Sequence, residues 1–586
     1  MPRWTFRDEA LVTLKLALPA IATNALATTL QLVDASFLGH IGTTELAAAS
    51  LGNAYFRMVW DFLLGVGTAL DTLAAQAHGA GDSWSVQRWT EVAAVVLLAL
   101  CVPGGLILCG AAWVAEHAFA QSPAVAALTG EYCAGLAWGL PFFALATCVQ
   151  KHQQAQSRMA PSVLVGVVAN VANVVFNYVL IWGTPLPPIW LATTTLGDWA
   201  SALVPAGGLG FRGSALATSL SRVLSFVLMV AAEALHRSRC CHVSTRRGGR
   251  GADPEEVGKR QAAADVDAGA DAASALESST LHEAALTASS GHPAAVEAMG
   301  PAGTAVVVVG WERRLAELRS FARLGLPGGV MLALEAWSFE VQTVLAARLG
   351  RLALDAHTVM LAVATFCFVS FPFGISVAAS IRVAQLLGAQ QPARARVAAH
   401  ASLLLGVLFM TACAVAIWLA GERLSALFTP DAAVAARVGA LAPMVAVFQV
   451  VDGYQGVASG VLRGLGKQPF VAWANLFCFW VVGVPLGGWL ALGPWRLGLG
   501  ALWGGLLVGL VLGCGMYALA LRWTDWRREA QLAYMRATVV WGASPGTSTR
   551  PEAAEEQQQR RRELRERNQP LLEEYRGVRF AEPQPP

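Results

Sequence analysis

Apolar windows of about 20 residues recur along the chain between short polar turns, and each is long enough to cross the hydrocarbon core of a bilayer as a helix. The pattern predicts twelve such helices. The first six lie near 11–38, 44–75, 91–116, 124–150, 160–183 and 210–235. The second six lie near 320–348, 352–386, 396–420, 432–462, 470–493 and 498–521. Several exceed what a bilayer needs, so tilt or extension into water is expected. Two polar stretches break the pattern. Residues 237–314 open basic (HRSRCCHVSTRRGGR) and continue as an Ala, Ser, Gly and Asp mixture, which reads as a disordered linker. VVVV at 306–309 is too short to span. The chain therefore divides into a short start (1–10), a first lobe (11–236), the linker, a second lobe (315–523) and a polar tail (524–586). The tail is expected to form a charged helix or to stay disordered.

The two lobes are copies. GVGTALDTLAAQAHGAG (65–81) aligns without gaps with GISVAASIRVAQLLGAQ (374–390), and LALPA (16–20) matches LGLPG (324–328). QLVDASFLGH (31–40) has a looser counterpart in TVLAARLGR (343–351). The copies lie near 309 residues apart. Six helices is an even number, so both copies enter the membrane the same way up. Parallel halves follow, related by an axis along the membrane normal with a cavity between them, as in many secondary transporters.

Charge gives the orientation. Lys and Arg gather before helix 1 (Arg3, Arg7), after helix 4 (Lys151, Arg158) and in the linker. They recur after helix 8 (Arg382, Arg394, Arg396), helix 10 (Arg463, Lys467) and helix 12 (Arg522, Arg527, Arg528). The opposite loops hold fewer, among them Arg348, Arg351 and Arg423. The positive-inside rule then places both termini and the linker in the cytoplasm. The start, MPRWTFRDEALVTL, is too charged for a signal peptide and too short for a transit peptide. Composition agrees with a membrane protein: 55% of residues are hydrophobic and 14% charged, the net charge of +3 says little until mapped onto loops, and no nucleic-acid partner is expected. The ten cysteines show no ligand-like spacing and read as packing residues. No metal and no cofactor is expected.

Polar residues inside the apolar helices are the candidates for function. LALEAWSFEVQT (332–343) places Glu335 and Glu340 in helix 7. A carboxylate in hydrocarbon costs about 2–4 kcal/mol on insertion scales, so such groups face protein or water and mark an ion or substrate path. The alternative is a carboxylate paired with a basic residue to hold two helices together. At about 100° per residue the two acids point about 140° apart. Glu335 shares a face with Ser338 and Gln342, and Glu340 with Trp337 and Thr343. In helix 10, Gln449, Asp452, Gln455 and Ser459 form one polar stripe. Interhelical hydrogen bonding at about 0.6–2 kcal/mol per contact would explain the glutamines. It explains Asp452 less well. Helix 1 carries Asn24, Thr28, Gln31 and Asp34 on one face, and helix 5 carries Asn170, Asn173 and Asn177. Asp34 is either an ion-binding group or a polar anchor within its lobe. Arg57 and Asp61, spaced i,i+4, read as a structural pair. Trp60, Trp337, Phe339 and Tyr454 are able to stack on an organic cation, though most membrane aromatics pack or sit at interfaces. Pro141, Pro372 and Pro485 interrupt helices, as hinges or as tolerated kinks.

These residues carry a resemblance. LALPAI, FLGHIGTTELAAASLG and ALDTLAAQAHGAGD in the first half are similar to segments of the multidrug and toxic compound extrusion (MATE) family. So are LPGGVMLALEAWSFE, FPFGISVAASIRVAQLLGA, GVASGVLRGLGKQ and VGVPLGGWLALG in the second. The match covers roughly 10–236 and 315–525. It implies an all-α integral membrane protein of twelve helices in two six-helix lobes forming a V. It also implies export of organic compounds in exchange for protons or, in some branches, sodium. The second half resembles the eukaryotic branch, whose functional acids fall at Glu335, Glu340 and Asp452. Asp34 resembles the proton-binding aspartate of the prokaryotic DinF-like branch. That branch has a second aspartate in helix 5, where this chain has Asn177, and an asparagine takes up no proton at physiological pH.

The expected mechanism is competition of proton and substrate for a shared carboxylate. A protonated acid neither holds a cation nor bears the full cost of a buried charge. Mutual exclusion supplies the negative coupling that antiport requires. Glu335, Glu340, Asp452 and Asp34 are the expected proton or substrate groups. Gln31, Asn170, Asn173, Asn177, Trp337, Gln342, Gln449 and Gln455 are the expected cavity lining. The expected partners are a small organic substrate and the bilayer, with the protein a monomer in the plasma membrane or a vacuolar or other internal membrane. Other readings are an exporter of organic anions such as citrate or phenolics, a sodium-coupled exchanger, and a flippase for lipid-linked saccharides. A basic cavity would suit the flippase, whereas these lobes carry acids. HExxH and Ser–His arrangements are missing from the chain, so an intramembrane enzyme is not expected.

Overall fold

The computed structural model describes residues 5–119, 121–183, 208–247, 302–428 and 430–538. Among these, secondary structure is helical throughout, and twelve helices are long and apolar enough to cross a membrane. Spans 1–6 are Phe6–Gly39, Thr43–Gly79, Ser83–Cys109, Pro123–Ala155, Ala160–Trp182 and Phe211–Ser238. Spans 7–12 are Arg314–Arg348, Arg351–Gly388, Pro392–Ala426, Ala432–Gly464, Gln468–Leu492 and Leu499–Arg522. With an even number of crossings, the first span starts and the last span ends on one face, here called the terminal face.

Helix starts are set by polar caps outside the apolar windows. Thr5 and Asp8 form a capping box at the head of span 1. Asp82 caps span 3, accepting from the Ser85 amide at 3.1 Å, so that helix begins at Ser83 rather than near 91. The second helix of each half is broken toward the terminal face: span 2 at Thr68, and span 8 at Phe371, where Pro372 opens the next segment. Span 11 carries a wide turn over Leu476–Gly483 just before Pro485. Pro141 lies inside a continuous helix.

The expected disordered linker 237–314 needs a correction at both ends. The helix of span 6 continues to Arg247, and the helix leading into span 7 begins at Ala302. Neither Gly nor Pro occurs between Ser214 and Arg247 to stop the first of these, and Val306–Val309 extends the second. The middle of the linker, 248–301, and the tail beyond Thr538 lie outside the described residues. The tail begins as a helix, Trp526–Thr538, that packs with buried Ala530, Ala533 and Ala537 on the terminal face. It touches span 8 and span 9 in one half and span 2 in the other.

The halves meet along spans 1, 2, 7 and 8. Spans 2 and 7 cross backbone to backbone: a Cβ on Gly65 would strike the Gly328 carbonyl, and one on Gly328 the Gly65 carbonyl. The other contacts between halves crowd toward the terminal face. Glu9 of span 1 accepts from Arg382 at 3.0 Å and from Arg394 at 2.8 Å. Arg88 of span 3 bonds Glu317 of span 7 at 2.9 Å. The Thr72 hydroxyl donates to the Arg463 carbonyl at 2.7 Å. Nearer the opposite face, the outermost described links are Asn24 to the Val369 carbonyl and Trp337 to the Met58 carbonyl, both 3.2 Å. The molecule is thus closed at the terminal face.

Candidate functional site

Glu335 and Glu340 go separate ways, as their helical angle requires. Glu335 is half-buried and accepts from Asn475 Nδ2 of span 11 at 3.3 Å. Asn475 is the hub of a four-helix polar cluster. Its Nδ2 also donates to the Met331 carbonyl of span 7 at 3.1 Å. Its Oδ1 accepts from the Tyr517 hydroxyl of span 12 at 2.5 Å and from Gln455 Nε2 of span 10 at 3.4 Å. Asp452, 5% exposed, stands one turn from Gln455 on the same stripe, and Glu335 is the charged group that acts on it. Arg463, 1% exposed, is the cation that acts on Glu335, while its NH2 donates to Ser376 Oγ at 2.7 Å. Two acids and one arginine are therefore gathered inside the second half. Burial of such charges is tolerable only with hydrogen bonds and compensating charge.

Glu340 looks the other way, toward Arg57 of span 2. Arg57 is exposed, and among the described residues it makes no ion pair with Asp61 within 4.0 Å, which corrects the reading of those two as a simple pair. Arg57 acts on both Asp61 and Glu340, so it stands between acids of the two halves.

The first half holds a second cluster. Asp34, 2% exposed, accepts from Asn177 Nδ2 at 2.8 Å and from the Thr218 hydroxyl at 2.6 Å. Asn177 Nδ2 also donates to Asn173 Oδ1 at 3.1 Å. Asn177 Oδ1 is buried and bonds no protein group. Spans 1, 5 and 6 thus hold Asp34 among amide and hydroxyl groups, with Arg222 the cation that acts on it. The guanidinium of Arg222 lies 4.1 Å from the Phe56 ring. Asn170 is a little apart, donating to the Leu26 carbonyl at 3.1 Å, and Gln31 is exposed.

Other residues singled out in the sequence bond backbone carbonyls or pack against rings of neighbouring helices. Gln342 donates to the Leu502 carbonyl at 2.8 Å within the second half, and Gln449 to the Ala364 carbonyl at 3.3 Å. Trp337 Nε1 ties span 7 to span 2 through the Met58 carbonyl. Trp60 stacks on Phe143 at 3.7 Å, and Phe339 packs against Phe448 and Phe479.

Sequence reasoning missed Asn475, Tyr517, Thr218 and the buried pair Lys151–Asp71, whose Nζ lies 2.9 Å from both carboxylate oxygens. A lone asparagine in the apolar run FVAWANLFCFW was the available signal for Asn475. Asp71 lies inside the repeated segment that was used only for alignment.

Among the described residues no group of three or more His, Cys, Asp or Glu side chains converges as a metal site. The family model described as MatE matches residues 19–179 and 327–489. Protein DETOXIFICATION 37 of Arabidopsis thaliana is 28% identical over 530 residues, covering 89% of this chain and 87% of that protein. Multidrug and toxin extrusion protein 1 of Homo sapiens is 26% identical over 555 residues, covering 93% of this chain and 81% of that protein. Among solved structures, the eukaryotic MATE transporter AtDTX14 superposes with a TM-score of 0.70 at 22% identity, covering 91% of this chain and 100% of that one.

Proposed function

From the premise that the chain belongs to the MatE family of membrane transporters, we propose that it exports organic cations in exchange for protons. The observation that carries this reading is the pair Glu335 and Asp452 inside the second half, with Glu335 bonded to the Asn475 hub and Asp452 one turn from Gln455, which bonds the same hub. A carboxylate there has two alternative ligands, a proton or a cation, and binding one excludes the other. Asn475 and Tyr517 fix the geometry of the site, and Arg463 offsets part of the charge when the acids are ionised. Glu340 and Asp61, with Arg57 between them, extend the acidic lining across to the first half. A positively charged substrate entering between the halves meets acids on both sides.

In this reading both termini are cytoplasmic, as the basic loops argue. The terminal face is then the cytoplasmic one, and its closure corresponds to a cavity that opens outward. Protons from outside displace the substrate, and the deprotonated acids bind the next one after the halves rock. The protein acts as a monomer, with the cavity between its own two halves, in a plasma or vacuolar membrane.

Sodium coupling is the second reading, and one observation favours it. The carboxylate of Asp34 and the amide oxygen of Asn173 both meet the Asn177 amide, whose own Oδ1 is buried and unpartnered, so turning that amide over would leave three oxygens for a cation. Uptake into proteoliposomes separates the readings. Radiolabelled tetraethylammonium and radiolabelled citrate are offered side by side, under a pH gradient and then under a sodium gradient. The proposal expects pH-driven uptake of the cation. Uptake driven only by sodium transfers the coupling to Asp34, and uptake of citrate alone refutes the cation reading.

A further inference from the structure

The second half contains a group of buried polar side chains that the exchange site does not use. Span 7 contributes Gln342 and Thr343, span 8 His357, and span 12 Trp503. Gln342 and His357 are fully buried and Trp503 nearly so. The Gln342 bond to the Leu502 carbonyl brings its amide beside Trp503. The His357 ring lies 5.7 Å from the Trp503 ring, and His357 Nε2 is 3.1 Å from Thr343 Oγ1. The Thr343 hydroxyl donates to the Phe339 carbonyl at 3.0 Å, so its hydrogen is in use. His357 must then donate through Nε2–H, and Nδ1 is left as an acceptor.

Three buried atoms of these side chains reach no protein partner: Gln342 Oε1, His357 Nδ1 and Trp503 Nε1. Two are acceptors and one is a donor. That set is the complement of a water molecule, which gives two hydrogens and receives one. Buried polar groups are as a rule satisfied by protein or by ordered water. The next orphan acceptor in line is Gln449 Oε1. Gln449 bonds the Ala364 carbonyl, two turns along span 8 from His357 toward the terminal face. Asp452 follows Gln449 by one turn on span 10. On the other side, His357 stands less than two turns from the span 7–span 8 connection at Leu349 and Gly350.

We propose that His357, with Gln342 and Trp503, holds internal water through which protons pass between the face opposite the termini and Asp452. This rests on the proton-exchange reading and assigns its route. His357 is a positioning and relay residue: Nδ1 takes a proton from one water and returns a proton to the next, and nothing else is consumed. The charged groups nearby are turned elsewhere. Glu340, one turn from Thr343 on span 7, faces Arg57. Asp355 on its own helix pairs with Arg351 at 3.8 Å. Spans 10 and 12 present Phe448 and Trp503 to this group, neither of them charged.

The test uses the full chain in proteoliposomes with labelled tetraethylammonium and two readouts. One is uptake driven by an imposed pH gradient. The other is counterflow of labelled against unlabelled cation at uniform pH, which needs no net proton movement. His357→Leu is expected to slow pH-driven uptake by about tenfold or more while leaving counterflow nearly unchanged. His357→Asn, which keeps a polar atom for the water, is expected to recover part of the rate. Wild-type pH-driven uptake in His357→Leu would overturn the proposal. Parallel loss of both readouts would also overturn it, since that marks a packing role. Counterflow without pH-driven uptake in the wild type would remove the proton reading itself, and the relay with it.

Discussion

Gln76 and Gln385, 309 residues apart, make the same bond from opposite halves of the molecule. Gln76 Nε2 donates to the Gly464 carbonyl at 3.2 Å, and Gln385 Nε2 donates to the Ala155 carbonyl at 2.9 Å. Their acceptors are also 309 residues apart. The glycines that follow repeat the relation: a Cβ on Gly79 would strike the Gln385 carbonyl, and one on Gly388 the Gln76 carbonyl. These reciprocal contacts lie at the pseudo-two-fold axis and seal the terminal face. Gly79→Val or Gly388→Val should force the two backbones apart. Overpacking of this kind costs about 1–3 kcal/mol. Thermal unfolding of the purified protein should show each variant destabilised, and a Gly105→Val control, where the added side chain has open space, should be nearly neutral.

Glu9 is the other fastening. It is 1% exposed and accepts from two arginines of the opposite half. Removing one member of a buried charge cluster costs on the order of 3–5 kcal/mol, and less here because Arg382 and Arg394 keep some contact with water. Glu9→Gln should therefore loosen the terminal face. A cysteine placed at the fully buried Ala155 reports this. Its labelling by a membrane-permeant maleimide should be faster in the Glu9→Gln background than with Glu9 present.

Tyr517 is predicted to tune the exchange site without holding it together. Tyr517→Phe keeps the ring and removes one hydrogen bond to Asn475. A typical net contribution of about 0.5–1.5 kcal/mol sets the scale. Uptake rates should fall by a few-fold, with expression and unfolding temperature close to wild type.

Asp34 separates an anchor from an ion site. Asp34→Ala removes one acceptor from the buried Asn177 amide and one from the Thr218 hydroxyl, which keep Asn173 and the Ser214 carbonyl, at about 0.5–1.5 kcal/mol per lost bond, and leaves a cavity. Asp34→Asn keeps a hydrogen-bonding side chain there and removes the charge. The proton-exchange account expects Asp34→Ala to be destabilised and Asp34→Asn to retain pH-driven uptake. Uptake assays on Asp34→Asn check this.

Much of the architecture was legible because membrane helices announce themselves by length and apolarity. The 309-residue repeat held down to individual hydrogen bonds, since Gln76 and Gln385 fall at matching places in the gapless alignment. The opposed directions of Glu335 and Glu340 followed from helix geometry alone. What the sequence hid were partners from distant spans. Nothing near Asn475 announces that it binds Glu335, Gln455 and Tyr517, because those contacts depend on how four helices pack. Trp337 and Gln342 shared faces with the acids yet turned out to bond backbone carbonyls of neighbouring helices. The linker ends were read as disordered from their polar composition. They are helical because no Gly or Pro lies between Ser214 and Arg247 in the long helix of span 6, and because Val306–Val309 feeds into span 7.

The central claim is that Glu335 is the carboxylate at which proton and substrate exclude one another. The most direct measurement is uptake of labelled tetraethylammonium into proteoliposomes under a pH gradient, wild type beside Glu335→Gln. Glutamine keeps the shape of the side chain and the amide contact with Asn475 but carries no titratable proton. The account predicts pH-driven uptake in the wild type and its loss in Glu335→Gln, with the variant folded and unfolding at a similar temperature. Wild-type uptake in a folded Glu335→Gln protein would contradict it.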